Sequence, residues 1–180
     1  MKRFALTALL ALFAVVALSG CDKTPISVGL EDFSVSIDAT ANTLGYVVYP
    51  YDSTKFEKPV VNVKTITVNG NVTASYNSLT GDELTMTFYA RATSPANNPD
   101  CDGSSGLVWI CKADNEKAIT GSYTFTNGQT QQITFGTSNA DVLAAAVNNG
   151  EIWIGAEVTS GVATGVTLNF TNMVANVTIF

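Results

Sequence analysis

From residue 33 to 37 the apolar Phe33, Val35 and Ile37 alternate with Ser34 and Ser36, and the same two-residue period returns along most of the chain. Alternation of this kind sends one set of side chains into a core and the other into water, which is the pattern of a β-strand buried on one face. Its clearest instance is 84–92, where Leu84, Met86, Phe88 and Ala90 make one face and threonines the other. Val28 and Leu30 fall in the opposite parity to Phe33, so a bulge or a separate short strand is expected near Glu31 and Asp32. Tyr46-Val47-Val48-Tyr49 is rich in β formers and must end, or run along an edge, at Pro50, which has no N–H to give a ladder. Further strands are predicted over 60–68, 107–111, 119–125, 131–135, 151–159 and 166–180. In the last of these the apolar parity changes between Phe170 and Met173, which predicts a bulge or corner near Thr171 and Asn172.

Two Asn-Gly pairs punctuate the pattern as hairpin turns. Parity selects a three-residue loop at Asn69-Gly70-Asn71, pairing Val68 with Val72 and Ile66 with Ala74. It selects the same loop length at Asn127-Gly128, pairing Tyr123 with Ile133. One short helix is predicted near 138–149, opened by Ser138-Asn139-Ala140-Asp141 as a capping box and closed at Asn148-Asn149-Gly150. Many short strands and one helix make an all-β chain, an antiparallel β-sandwich. Strand 84–92 with a closing strand such as 174–180 resembles the jelly-roll sandwiches of carbohydrate-binding modules, so the expected fold is jelly-roll-like. An immunoglobulin-like sandwich is the runner-up and a closed small barrel the third choice.

The first twenty residues stand outside this pattern. Met1-Lys2-Arg3 precedes an apolar run from Phe4 to Leu18, shorter than the roughly 20 residues a membrane span needs, and Leu18-Ser19-Gly20-Cys21 closes it. The arrangement resembles a bacterial lipoprotein signal peptide with its lipobox. The resemblance implies removal of 1–20, lipidation of Cys21, a tether over 21–27 and a single β domain over 28–180. It also implies a bacterial cell-envelope location, lipid-anchored and facing periplasm or cell surface. Asp22 resembles an inner-membrane retention signal of enteric bacteria, a rule that does not extend to every envelope, so inner and outer membrane both stay open. Loss of the two leader cations, Lys2 and Arg3, takes the formal charge from −6 to −8, which excludes recognition of nucleic acid through charge.

With Cys21 acylated, Cys101 and Cys111 remain as one pair in an oxidising compartment and are expected to form a disulfide. Asn98-Pro99-Asp100-Cys101-Asp102-Gly103 places oxygen side chains at alternate positions before a glycine, as a calcium loop opens. The twelfth position is Trp109 where such loops carry Glu, so the reading kept is a solvated loop capped by a disulfide, with weak calcium at Asn98, Asp100 and Asp102 as the alternative and no other cofactor. Tyr46, Tyr49 and Tyr51 beside Pro50 are candidate ligand contacts, since exposed tyrosines stack on sugars or anchor proteins, although alternation sends at least one into the core. The chain has no histidine, no Gly-x-Ser-x-Gly elbow and no spacing that selects a carboxylate pair. The expected function is therefore a non-enzymatic envelope lipoprotein that binds another envelope component, first a protein partner in a surface or periplasmic assembly. Carbohydrate binding is the alternative, and glycoside hydrolysis the distant third.

Overall fold

The structure, a computed structural model, describes residues 26–37, 43–79 and 81–179. Residues 1–25, with Cys21 and the segment expected to be a signal peptide, lie outside the described residues. In chain order the strands are β1 (Ile26–Gly29), β2 (Phe33–Ile37), β3 (Tyr46–Pro50), β4 (Thr54–Lys55), β5 (Val63–Ser78), β6 (Glu83–Arg91), β7 (Cys101–Asp102), β8 (Val108–Lys112), β9 (Ala118–Thr126) and β10 (Thr130–Phe135). The helix α1 (Ala140–Asn149) follows, then β11 (Glu151–Ser160) and β12 (Ala163–Ile179). They form two antiparallel sheets. One has the order β1-β12-β5-β10, with β2 also on β12, and the other β7-β8-β3-β11-β6-β9, with β4 also on β11.

The alternating apolar positions meet between the sheets as predicted. Leu84, Met86, Phe88 and Ala90 of β6 pack with Val72 and Ala74 of β5 and Val166, Leu168 and Phe170 of β12. Phe88 is central, meeting Phe125, Phe135 and Phe170 edge-on at 6.2, 5.4 and 6.4 Å, the geometry the ring quadrupole favours. Leu143, Ala144 and Ala146 bury one side of α1. Asn148 ties the helix end to β5 by accepting from Val63 N and donating to Val63 O, both at 2.8 Å.

Four local expectations are corrected. The tether was expected to run to Ser27, yet Ile26 and Ser27 already pair with Val177 and Asn176; the 26–29 segment has its own strand alternation, and β12 offers it a free edge. Asn69-Gly70-Asn71 is not a hairpin. β5 runs through it, pairing Gly70 with Ile133 and Asn69 with Val174, and its glycine serves to admit Met173. Asn127-Gly128 does turn the chain, with Gly128 at φ 76°, but from one sheet to the other, so Tyr123 does not pair with Ile133. Asn127 instead clasps β5, accepting from Tyr76 N and donating to Tyr76 O. The capping box is absent as well. Asn139 occupies the N-cap at φ 48° without a side-chain cap, because its amide donates to Ala118 O at 2.7 Å.

Other expectations hold. β1 and β2 are separate short strands, β3 ends at Pro50, and the register of β12 shifts between Thr171 and Val174 with Asn172 at φ 53°.

Candidate functional site

The seven-stranded sheet is apolar on its outer face too, where Val47, Tyr49, Tyr89, Cys111 and Trp153 form a second buried cluster. Cross-strand register builds it: Tyr49 lies opposite Trp109, Val47 opposite Cys111, and Cys101 opposite Cys111. Cys101 and Cys111 are bridged, with Cα atoms 4.1 Å apart. The bridge joins β7 to β8 and closes the hairpin that carries Trp109.

Beneath this hairpin lies a buried ion pair. Glu116 Oε1 accepts from Arg91 Nη1 at 2.7 Å and from Asn98 Nδ2 at 3.3 Å, while Oε2 accepts from the Tyr49 hydroxyl at 2.7 Å. Three donors on one carboxylate are what keep a charge tolerable at 2% side-chain exposure. Glu157 is treated alike, accepting from Tyr89 OH at 2.7 Å and Gly45 N at 2.8 Å. Burial, reinforced by these carboxylates, pushes the phenols of Tyr49 and Tyr89 up. Both carboxylates are shut away from solvent and spend their oxygens on protein donors, so neither is placed to act on a bound substrate.

Above the pair, two aromatic rings reach the surface. Tyr51 stacks on Trp109 with centroids 5.3 Å apart and planes 7° from parallel, and Trp109 Nε1 donates to Tyr51 O at 3.1 Å. The indole also rests against Gly103, where any Cβ would collide with its six-membered ring. Tyr51 is 43% exposed and Trp109 half-buried. Asp102 and Ser104 flank Gly103 in the chain, but Asp102 pairs with Ile110, on the opposite face of β8 from Trp109, and its Oδ1 accepts from Ser104 N at 2.9 Å. The Ser104 hydrogen bonds hold the Asp102 carboxyl below its ordinary range, so it stays ionised. The result is a fixed, partly exposed pair of stacked aromatic rings.

The three candidate tyrosines do not converge. Tyr49 is fully buried and is withdrawn as a ligand contact: its ring lies across Gly155, where a Cβ would sit 2.6 Å from Tyr49 Cδ1. Tyr46 is 48% exposed, but strand parity puts it with Val48 on the opposite face of the sheet from Trp109. Tyr51 alone joins the platform. Its partner Trp109 and the spacer Gly103 were missed as site residues, because nothing in the sequence shows that β3 and β8 are neighbours.

Asn98, Asp100 and Asp102 are each engaged elsewhere. Asn98 accepts from Asp100 N and donates to Glu116, Asp100 receives Asn115 Nδ2 at 2.9 Å and Lys112 at 3.8 Å, and Asp102 receives Ser104 N. Among the described residues, Cys101, Cys111 and Glu116 are the three metal-type ligands that lie within 4.8 Å of one another, and the disulfide consumes two of them.

No protein-family model matches the sequence, and no curated protein matches it. Among solved structures, the xylan-binding module CBM15 is similar at 9% identity and a TM-score of 0.38, over 86% of this chain and 97% of that one. The CBM22-1 xylan-binding domain from Paenibacillus barcinonensis Xyn10C is similar at 10% identity and 0.35, over 87% and 97%. A protein of infectious bursal disease virus, Gx strain, is similar at 11% and 0.35, over 88% of this chain and 37% of that one. Identities and scores this low carry neither a ligand nor a partner from one chain to another.

Proposed function

We propose that this chain is a non-enzymatic, lipid-tethered binding module of the bacterial cell envelope, and that a sugar ring stacks on the Tyr51–Trp109 platform. The observation that carries the reading is the half-exposed, near-parallel stack of Tyr51 and Trp109, fixed by the indole hydrogen bond and by Gly103. Rings already immobilised lose little freedom on binding, which is how a small aromatic surface becomes a usable one. The tether rests on Leu18-Ser19-Gly20-Cys21, and membrane fractionation of Cys21→Ser tests it separately. For the site, calorimetry of the mature protein with oligosaccharides released from its own envelope is the test. Trp109→Ala and Tyr51→Ala should abolish the heat and Tyr46→Ala should leave it. Equal heats from all three variants, or none from the parent, would refute the platform.

A second reading, a protein partner, has its own support on the other face of the same strands. Tyr46 and Ile110 are diagonal neighbours there, 48% and 42% exposed, with Leu107 76% exposed nearby along the chain. Docking of an apolar protein surface at that patch is expected to be lost on Ile110→Asp. Cross-linking in intact cells, comparing Ile110→Asp with Trp109→Ala, tells which face is used.

A further inference from the structure

The outer face of the five-stranded sheet has a composition unlike the rest of the molecule. Its strands β1, β2, β5, β10 and β12 carry one charged side chain, Lys64, although the chain contains 9 Lys and Arg and 15 Asp and Glu. Protein surfaces in water are ordinarily about a quarter to a third charged, so strands with a single charged residue near one end are made for something other than bulk solvent. A carboxylate from the β1–β2 link, Asp32, does reach β12, where it accepts from Asn172 N at 3.0 Å. Hydroxyl and amide groups take the place of the charges. One row crosses four strands, Ser34 of β2 beside Asn169 of β12, beside Thr73 of β5, beside Thr130 of β10. Within it Ser34 Oγ donates to Asn169 Oδ1 at 2.6 Å, and the Thr73 and Thr130 hydroxyls are 2.7 Å apart.

We infer that this face is a binding surface for an uncharged, hydroxyl-rich polymer, a neutral polysaccharide lying across the strands. Strands repeat about every 4.8 Å across a sheet and outward side chains about every 6.8 Å along it, so the face is a regular grid. Each hydroxyl on that grid both donates and accepts, and so meets another hydroxyl array in either orientation. Along the Ser34–Asn169–Thr73–Thr130 row there is no ion to strip of water, so the two hydrated surfaces can close there without the desolvation penalty that a charged face would impose. The chemistry disfavours other occupants. A nucleic acid or anionic bilayer needs cations, and a protein interface is centred on aromatic or aliphatic anchors, whereas the large apolar side chains exposed on the described residues of these five strands are Val174 of β12 and Phe33 of β2, and Phe33 is stacked on the buried Phe170. Single contacts of this kind are weak, so the surface should hold particles and long chains but not short oligosaccharides.

The site is separate from the Tyr51–Trp109 platform, and one experiment addresses both. Mature protein is incubated with cellulose and cross-linked dextran particles, with polygalacturonate gel as the acidic control, and the bound fraction is measured at low and high salt. Folding of every variant is checked by thermal unfolding, and self-association of the parent by sedimentation. The parent and Thr73→Ser should be retained on at least one neutral polymer regardless of salt. Thr73→Glu and Thr73→Lys should each weaken retention at least tenfold, since a charge of either sign must be desolvated. Trp109→Ala should keep particle retention while losing short oligosaccharides. Retention unchanged in both charged variants, opposite effects of Glu and Lys, or no retention on any neutral polymer would each overturn the inference. So would a parent dimer that Thr73→Glu dissociates, which would make the face a contact between copies. If Trp109→Ala alone abolishes retention, the platform stands and this face does not.

Discussion

Met173 fills the space that a side chain at position 70 would need: a Cβ on Gly70 would run into Met173 Sδ and come within 3.1 Å of Met173 Cα. The left-handed Asn172 makes the register shift in β12 that delivers Met173 to this place, where it is 2% exposed. Gly70→Ala is therefore expected to destabilise the domain by about 1–3 kcal/mol through overpacking. In the double variant with Met173→Ala the loss should be smaller than the sum of the single losses, because both changes act on one space. Denaturant unfolding of the three variants measures this, and strictly additive losses would refute the contact.

The Cys101–Cys111 bridge closes a short loop, and reducing it is expected to cost about 2–3 kcal/mol on the chain-entropy account. The β-sandwich should survive, since its main core lies on the other face of the sheet. Trp109 sits inside the closed loop, so reduction should also shift its fluorescence to the red. The comparison uses a Trp109→Phe background to isolate the signal of Trp153. Two alkylatable thiols in the freshly isolated protein would defeat the prediction.

The strands were legible in the sequence wherever one face is buried and the other wet, because a period of two then reports burial directly. Residues 84–92 are the plainest case, and the β12 bulge was legible as a change of parity between Phe170 and Met173. Asn69-Gly70-Asn71 misled because an Asn-Gly pair has the same local signature whether it turns or makes room, and the deciding atom, Met173 Sδ, is distant in sequence. Asn127-Gly128 misled differently: its turn is real, but parity cannot say which sheet the next strand joins. The site was less legible. Tyr51 was found as an aromatic beside a proline, but Trp109, Glu116 and Arg91 take their roles from the β3–β8 register and from a loop folding back, which no local pattern encodes.

Calcium at Asn98, Asp100 and Asp102 would have to displace contacts that already exist, including the Asn115 amide on Asp100 and the Ser104 amide on Asp102. Millimolar calcium is expected to leave the thermal midpoint of chelator-treated protein unchanged. A calcium-dependent rise in midpoint that disappears in Asp100→Asn would establish the site after all.

Alkaline pH gives the buried network a measurable signature. Tyr49 is fully buried with its hydroxyl on Glu116, and burial first, then the carboxylate charge, raises its pKa. An unfolded tyrosine loses its proton near pH 10, whereas folded Tyr49 keeps it, so above about pH 10 the unfolded state binds fewer protons. Stability from this residue is accordingly complete below about pH 10 and falls above it by about 1.4 kcal/mol per pH unit. Tyr49→Phe removes that slope but also takes a donor from a buried carboxylate, a loss of about 1–3 kcal/mol at neutral pH. The two effects have opposite signs, so the deficit of Tyr49→Phe relative to the parent should be constant from about pH 7 to 9 and shrink above about pH 10. Urea unfolding of both proteins across that range reads the difference directly. A deficit that stays the same through about pH 11 would mean that Tyr49 is not held protonated by the fold, and the account of the Glu116 network would fail with it.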